Sequence, residues 1–144
     1  MPRLKTGSAF FALLMALMFA AVACGGGGGG EEEGGMTTVG GEKANNHGSK
    51  DASSESELDL ELDDFYFEPT VLTGTAGKSL TLHLENEGST EHNFSVTEQG
   101  IDQDVEDGGK ADVTVTFPDS GTLVFFCKYH QDMGMRGALR VSSA

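Results

Sequence analysis

Four side chains with soft or basic donor atoms crowd into nine residues near the end of this chain: Cys127, His130, Met133 and Met135. They sit in the run Phe125-Phe126-Cys127-Lys128-Tyr129-His130-Gln131-Asp132-Met133-Gly134-Met135. Taken singly, each has an ordinary account: a lone Cys is most often a small buried hydrophobe, a loop His is solvated, and a Met fills a gap. Taken together they are harder to dismiss. Cys127 is the only Cys after Cys24, and the only Met residues beyond Cys24 are Met36 and these two.

A thiolate, thioethers and an imidazole form a soft donor set, which selects copper over calcium or magnesium, ions that take oxygen ligands. A structural zinc site normally brings two or more Cys, or a Cys2His2 set. One thiolate and two imidazoles in a plane, with a long axial thioether, is the arrangement of a mononuclear blue-copper site. That arrangement needs a second His from elsewhere in the chain. The candidates are His83 and His92. His92 opens His92-Asn93-Phe94-Ser95-Val96 after the turn-like Glu87-Gly88-Ser89-Thr90, which puts it at the end of a strand. His83 lies mid-strand, out of phase with Leu82 and Leu84, and is expected to face solvent.

The elements that must position these residues read as strands. Leu58, Leu60 and Leu62 alternate with acids, as do Leu80, Leu82 and Leu84 with Thr81, His83 and Glu85, and Val113, Val115 and Phe117 with Asp112, Thr114 and Thr116. Such a period of two marks half-buried strands. Leu123-Val124-Phe125-Phe126 is unbroken, as in a strand covered on both faces. Punctuation falls between the runs at Pro69, Gly74, Gly77, Gly88, Gly100, Gly108-Gly109, Pro118 and Gly121. No stretch has a helical period, and Thr97 to Lys110 yields no clear element. Residues 58–144 are therefore expected to form one all-β domain, a Greek-key β-sandwich or barrel.

At this point the sequence resembles the cupredoxins, the small blue-copper family of plastocyanin, halocyanin and amicyanin. The residues that carry the resemblance are Phe67-Glu68-Pro69, Gly77 and the strand to Asn86, His92-Asn93, the run from Gly121 to His130, and Gly134-Met135-Arg136-Gly137. The family spacing is a His-Asn pair upstream, then Cys-x2-His-x4-Met. The resemblance implies His92, Cys127 and His130 as equatorial copper ligands and Met135 as the axial one, with Met133 a neighbour. It implies that Asn93 ties the two ligand loops together and that His130 is the exposed electron port, with apolar surface around it docking partners. Phe125 and Phe126 are expected to wall the copper from water.

The chain before the domain divides in two. Residues 1–23 carry Arg3 and Lys5, an apolar stretch from Ala9 to Ala23, and Ala21-Val22-Ala23 before Cys24, which reads as a secretory signal. Ala21-Val22-Ala23-Cys24 resembles a bacterial lipobox, with Ala21 where Leu is usual; that implies a lipid on Cys24 and a membrane anchor facing the periplasm or the cell exterior. Residues 24–57, with six consecutive Gly and then Glu31-Glu32-Glu33, read as a disordered tether that copper binding does not need, with His47 solvated in it.

The formal charge of -14 argues against binding nucleic acid or an anionic membrane surface by charge. With one metal site, no substrate-pocket motif and no acid–base pair, the expected protein is a one-electron carrier between redox proteins, monomeric in its domain, and not an enzyme. Lys128 and Arg136 flank the ligand loop of an otherwise acidic domain, whose charge favours a basic partner. Two other readings use the same residues differently: a copper carrier or buffer that hands on the metal, helped by Met133, and a metal-free interaction module. A binuclear copper loop needs two Cys, and only Cys127 is present.

Overall fold

The computed structural model describes residues 34–142. The expected signal sequence at 1–23, Cys24 and the glycine run at 25–30 lie outside the described residues.

The alternating leucines build one sheet. In β4 (Glu57–Asp63) and β7 (Ser79–Asn86) every second residue turns inward, so Leu60, Leu62, Leu80, Leu82 and Leu84 are fully buried while the acids between them stay at the surface. β4 runs parallel to β7, β7 antiparallel to β10 (Lys110–Thr116), and β4 antiparallel to the short β5 (Tyr66–Glu68), giving the order β10-β7-β4-β5. A six-stranded sheet packs across it in the order β3-β6-β12-β11-β8-β9, made from β3 (Ser49–Asp51), β6 (Val71–Gly74), β8 (His92–Val96), β9 (Ile101–Val105), β11 (Thr122–Phe126) and β12 (Arg136–Val141). The inner faces enclose one core, in which Phe67, Phe94, Phe117 and Phe125 are each at most 1% exposed. Phe67 meets Phe94 and Phe125 edge-on, with ring centroids 6.0 and 5.0 Å apart. Of the segment without a clear sequence signal, Thr97–Gln99 forms a single 3-10 turn and Ile101–Val105 forms β9.

The sandwich is as expected; its N-terminal limit is not. Within the stretch read as a tether, β1 (Gly35–Val39) and β2 (Glu42–Asn46) form an antiparallel hairpin, and β3 pairs in parallel with β6. The hairpin buries Val39 and Ala44 against Val71 and Ala138, with Val124 packed on the edge. It thus supplies the second covered face that the unbroken run of β11 requires. Two apolar side chains suffice here because the surface they cover belongs to a sheet already built by the rest of the chain. Composition, which counts what a segment can bury against itself, misses that. His47 is likewise not solvated: its ring stacks on Tyr66 with centroids 3.3 Å apart, and Glu68 lies 4.0 Å from its Nδ1.

Candidate metal centre

The site lies where β8 begins and β11 ends. β8 is buried along its whole length, with β9 and β11 on its two sides in the sheet and the turn that carries Asp64 and Phe65 against its first residue. Its first residue, His92, is therefore fully buried despite its polarity. Phe126 of β11 pairs with Ser95, so Cys127, one residue beyond the strand end, arrives beside His92. The chain then turns back. His130 N donates to Cys127 O (3.1 Å), a 3-10 turn covers Gln131–Met133, and Gly134 takes φ +90°, a left-handed value that favours glycine. Met135 re-enters the core, where its N donates to His130 O (3.3 Å) and its O accepts from Cys127 N (3.1 Å).

This geometry brings three donor atoms together. His92 Nδ1 is 3.2 Å from His130 Nδ1, which is 3.5 Å from Cys127 Sγ. The three residues offer ligand atoms that all lie within 4.8 Å of one another. Nitrogen and sulfur donors at ordinary distances from one ion in a trigonal plane stand about 3.5–3.8 Å apart, so the spacing fits a single small metal ion. The donor set of one sulfur and two imidazole nitrogens fits copper. Burial pushes the Cys127 thiol above its ordinary range, so the thiolate form needs a cation beside it. Burial, reinforced by the neighbouring His92, pushes His130 down and keeps its imidazole neutral, the form that ligates.

The two Met part company. Met135 is fully buried in the same core cluster as Cys127. Met133 is 53% exposed and lines a groove of about 620 Å³ with Met36, Lys43, Gln131 and Arg136. Asn93 is buried and spans both ligand segments: its Oδ1 accepts from Lys128 N (3.2 Å) and Ser95 Oγ (2.6 Å), and its Nδ2 donates to Asp102 (2.8 Å) and Asp104 (2.9 Å). Lys128 Nζ bonds the same two carboxylates at 2.8 and 2.9 Å, so this cation is already paired within the domain. His83 sits away from the site on β7, between Asp112 (2.8 Å) and Glu57 (3.6 Å), facing outward as expected.

Two neighbours of the donors had no sequence signal. The ring against the imidazoles is Phe65, 4.7 Å from the His130 ring and 6.1 Å from that of His92. Phe125, expected in that place, instead packs in the core on Phe67 and Phe94, and Phe126 is half-buried on the opposite side of β11. Asp64 Oδ1 lies 2.8 Å from His92 Nε2. Both residues belong to the turn between β4 and β5, where alternation stops and periodicity says nothing about direction.

Solved structures share this fold. The chain matches a solved auracyanin from the photosynthetic bacterium Roseiflexus castenholzii at 18% identity and TM-score 0.50, over 62% of this chain and 98% of that one. It matches auracyanin B at 19% identity and TM-score 0.52, over 60% and 88%. The metal binding domain of the Cu(I)-exporting P-type ATPase CopA of Streptococcus pneumoniae, solved with Cu(I), matches at 14% identity and TM-score 0.54, over 66% and 96%. No curated protein sequence matches the chain. The model of the cupredoxin-like domain matches residues 36–141, which takes in the hairpin, both sheets and all three donors; the chain belongs to that family.

Proposed function

We propose that this protein carries single electrons between redox partners outside the cytoplasm, using one copper ion held by His92, Cys127 and His130 with Met135 as the axial ligand. The observation that carries the reading is the convergence of one thiol and two imidazoles within 4.8 Å, with His92 and Cys127 fully buried. Bound there, copper supplies a one-electron couple between Cu(I) and Cu(II). The protein's part is to hold the donors still. The backbone bonds from Cys127 to Met135 and from His130 to Cys127, and the Asn93 bridge to Lys128, fix the loop from within. Phe65 and the apolar core keep water from the donors, which limits rearrangement as charge changes.

Met135 is the axial candidate because it is buried against Cys127 and tied to it through the main chain, whereas Met133 points to solvent. That also weakens the copper-buffer reading, whose support was a second thioether at the metal. No redox step calls for a substrate pocket, and the proposal is of a carrier and not an enzyme. Partners meet the domain at the half-buried His130 edge, beside Tyr129, which is 46% exposed. With Lys128 neutralised by Asp102 and Asp104, the acidic surface favours a basic partner, and electron exchange slows as salt rises. In this reading the domain is monomeric and is anchored to a membrane by a lipid on Cys24, which the lipobox-like Ala21-Val22-Ala23-Cys24 supports; among the described residues no helix is long and apolar enough to cross one.

The test is to add Cu(II) to the purified protein. An intense blue thiolate-to-copper band and a reversible couple with fast self-exchange are expected, and Cys127→Ser should abolish the band while leaving the fold intact. A colourless adduct in the unmodified protein refutes the proposed site. Ready loss of copper to a chelator, without a reversible couple, turns the reading to metal delivery.

A further inference from the structure

The two ring nitrogens of His92 have unlike surroundings. Nδ1 faces His130 Nδ1 at 3.2 Å, on the side of Cys127. Nε2 is 2.8 Å from Asp64 Oδ1. The other oxygen of that carboxylate is held in turn: Ser89 N donates to Asp64 Oδ2 at 2.9 Å, and the Ser89 hydroxyl donates to the same atom. Between them runs Gly88, where a Cβ would stand 2.6 Å from His92 Nε2 and strike the Asp64 carboxylate. The turn before β8 is thus shaped around this one contact. Among the described residues no carboxylate makes a matching bond to His130, so the two imidazoles are not equivalent.

We propose that Asp64 is a positioning residue for the metal centre: it fixes His92 with its proton on Nε2 and its Nδ1 lone pair bare, and it strengthens that imidazole as a donor to Cu(II) more than to Cu(I). An imidazole with one nitrogen bonded to a carboxylate carries its proton there, which leaves the other nitrogen as the ligand atom, and it is the more basic for it. A stronger, more anionic donor favours the higher charge of Cu(II). Asp64 therefore holds the reduction potential down and slows loss of the oxidised ion. The inference rests on the copper reading above for its consequence, though not for the contact itself.

Asp64→Asn and Asp64→Ala separate the parts. Asn loses the charge and has one oxygen where Asp64 uses two, toward His92 and toward Ser89; Ala loses the charge and both acceptors. Asp132→Asn, an exposed acid on the ligand loop, controls for charge alone. In the copper-free protein, nitrogen-15 NMR should find His92 protonated on Nε2 in the unmodified chain, and a mixture of tautomers in Asp64→Ala. In the copper-loaded protein, loss of such an outer partner typically costs about 10–100-fold in metal affinity. If that loss falls tenfold more heavily on Cu(II) than on Cu(I), the potential of Asp64→Asn rises by about 59 mV, and Asp64→Ala rises at least as far.

An unchanged tautomer in Asp64→Ala overturns the positioning. Unchanged potentials in both variants, or an equal rise in Asp132→Asn, overturn the tuning. Should the unmodified protein take up no copper, the proposed function falls, while the NMR arm still decides whether Asp64 sets the His92 tautomer.

Discussion

Replacing Asn45 by Ala tests whether the N-terminal hairpin belongs to the metal centre or merely decorates the sandwich. Asn45 lies on β2, and its Nδ2 donates to two carbonyls, Phe65 O at 2.9 Å and Met133 O at 2.9 Å. Its main-chain N donates to Gly134 O, also at 2.9 Å. One residue therefore grips the turn that places Phe65 on His130 and the loop segment that leads into Met135. The fit is close: a Cβ on Gly134 would lie 3.0 Å from the Asn45 amide. The Ala variant keeps the main-chain bond and loses both side-chain bonds. Each is worth about 0.5–1.5 kcal/mol net, so the loss is about 1–3 kcal/mol. Neither carbonyl is sealed from water, which favours the middle of that range. At about 4–8 °C per kcal/mol for a domain near this size, the melting temperature should fall by about 10 °C. The assay is thermal unfolding of the copper-free protein followed by circular dichroism, with Met36→Ala, 57% exposed on the same hairpin, as a control expected to shift little. Chelator removal of copper should also be faster in Asn45→Ala, because the ligand loop is less held. A melting temperature and a release rate both equal to those of the unmodified protein would refute the argument that the hairpin clamps the site.

Deleting residues 25–33 should leave melting and copper uptake unchanged, whereas deleting 25–57 removes β1, β2 and β3, bares Val71 and Ala138, and should prevent stable folding; equal melting of the two deletions contradicts the described packing. Met135→Leu, a swap of nearly equal volume, should keep the blue colour and raise the potential, while Met133→Leu at its exposed position should do neither; the reverse pattern exchanges the axial assignment. His83 should titrate above its ordinary 6.5, chiefly through its hydrogen bond to Asp112, so its contribution to stability is full below that value and is lost as pH rises through the raised pKa. Asp112→Asn should lower the His83 pKa measured by NMR and flatten that pH dependence; an unshifted titration removes the ion pair from the account.

What the sequence revealed follows from which signals are local. Leu80, Leu82 and Leu84 announce their sheet because alternation is a property of neighbours, and the inward phase that buries them also turns His83 out. The donors were legible for a different reason: Cys127 and His130 share one tight turn, and His92 is the first residue of a strand, where a turn signal precedes it. The hairpin was not legible, since Val39 and Ala44 have value only against Val71, Ala138 and Val124, far away in the chain. Asp64 and Phe65 were hidden for the same reason. A pair of acids followed by an aromatic between two strands reads as a solvated turn, and only the approach of His92 and His130 gives these side chains something to face.

The order of these contacts also says where the geometry of the centre comes from. The ligand loop is fixed from within by Cys127 N to Met135 O, from the β8–β9 side by Asn93 to Lys128, and from the hairpin by Asn45 to Met133 and Gly134. None of these bonds passes through a donor atom. The three donors nevertheless stand at the spacing one ion requires, so the positions are set by hydrogen bonds that persist whatever the charge at the centre. A loop held only by its metal would relax toward the geometry each oxidation state prefers, and that relaxation is the barrier an electron carrier must keep small. Here, bonds placed one shell away from the donors oppose it. That is a stronger reason to read the domain as an electron carrier than the donor set alone, since a protein that delivers copper needs the opposite, a loop that yields.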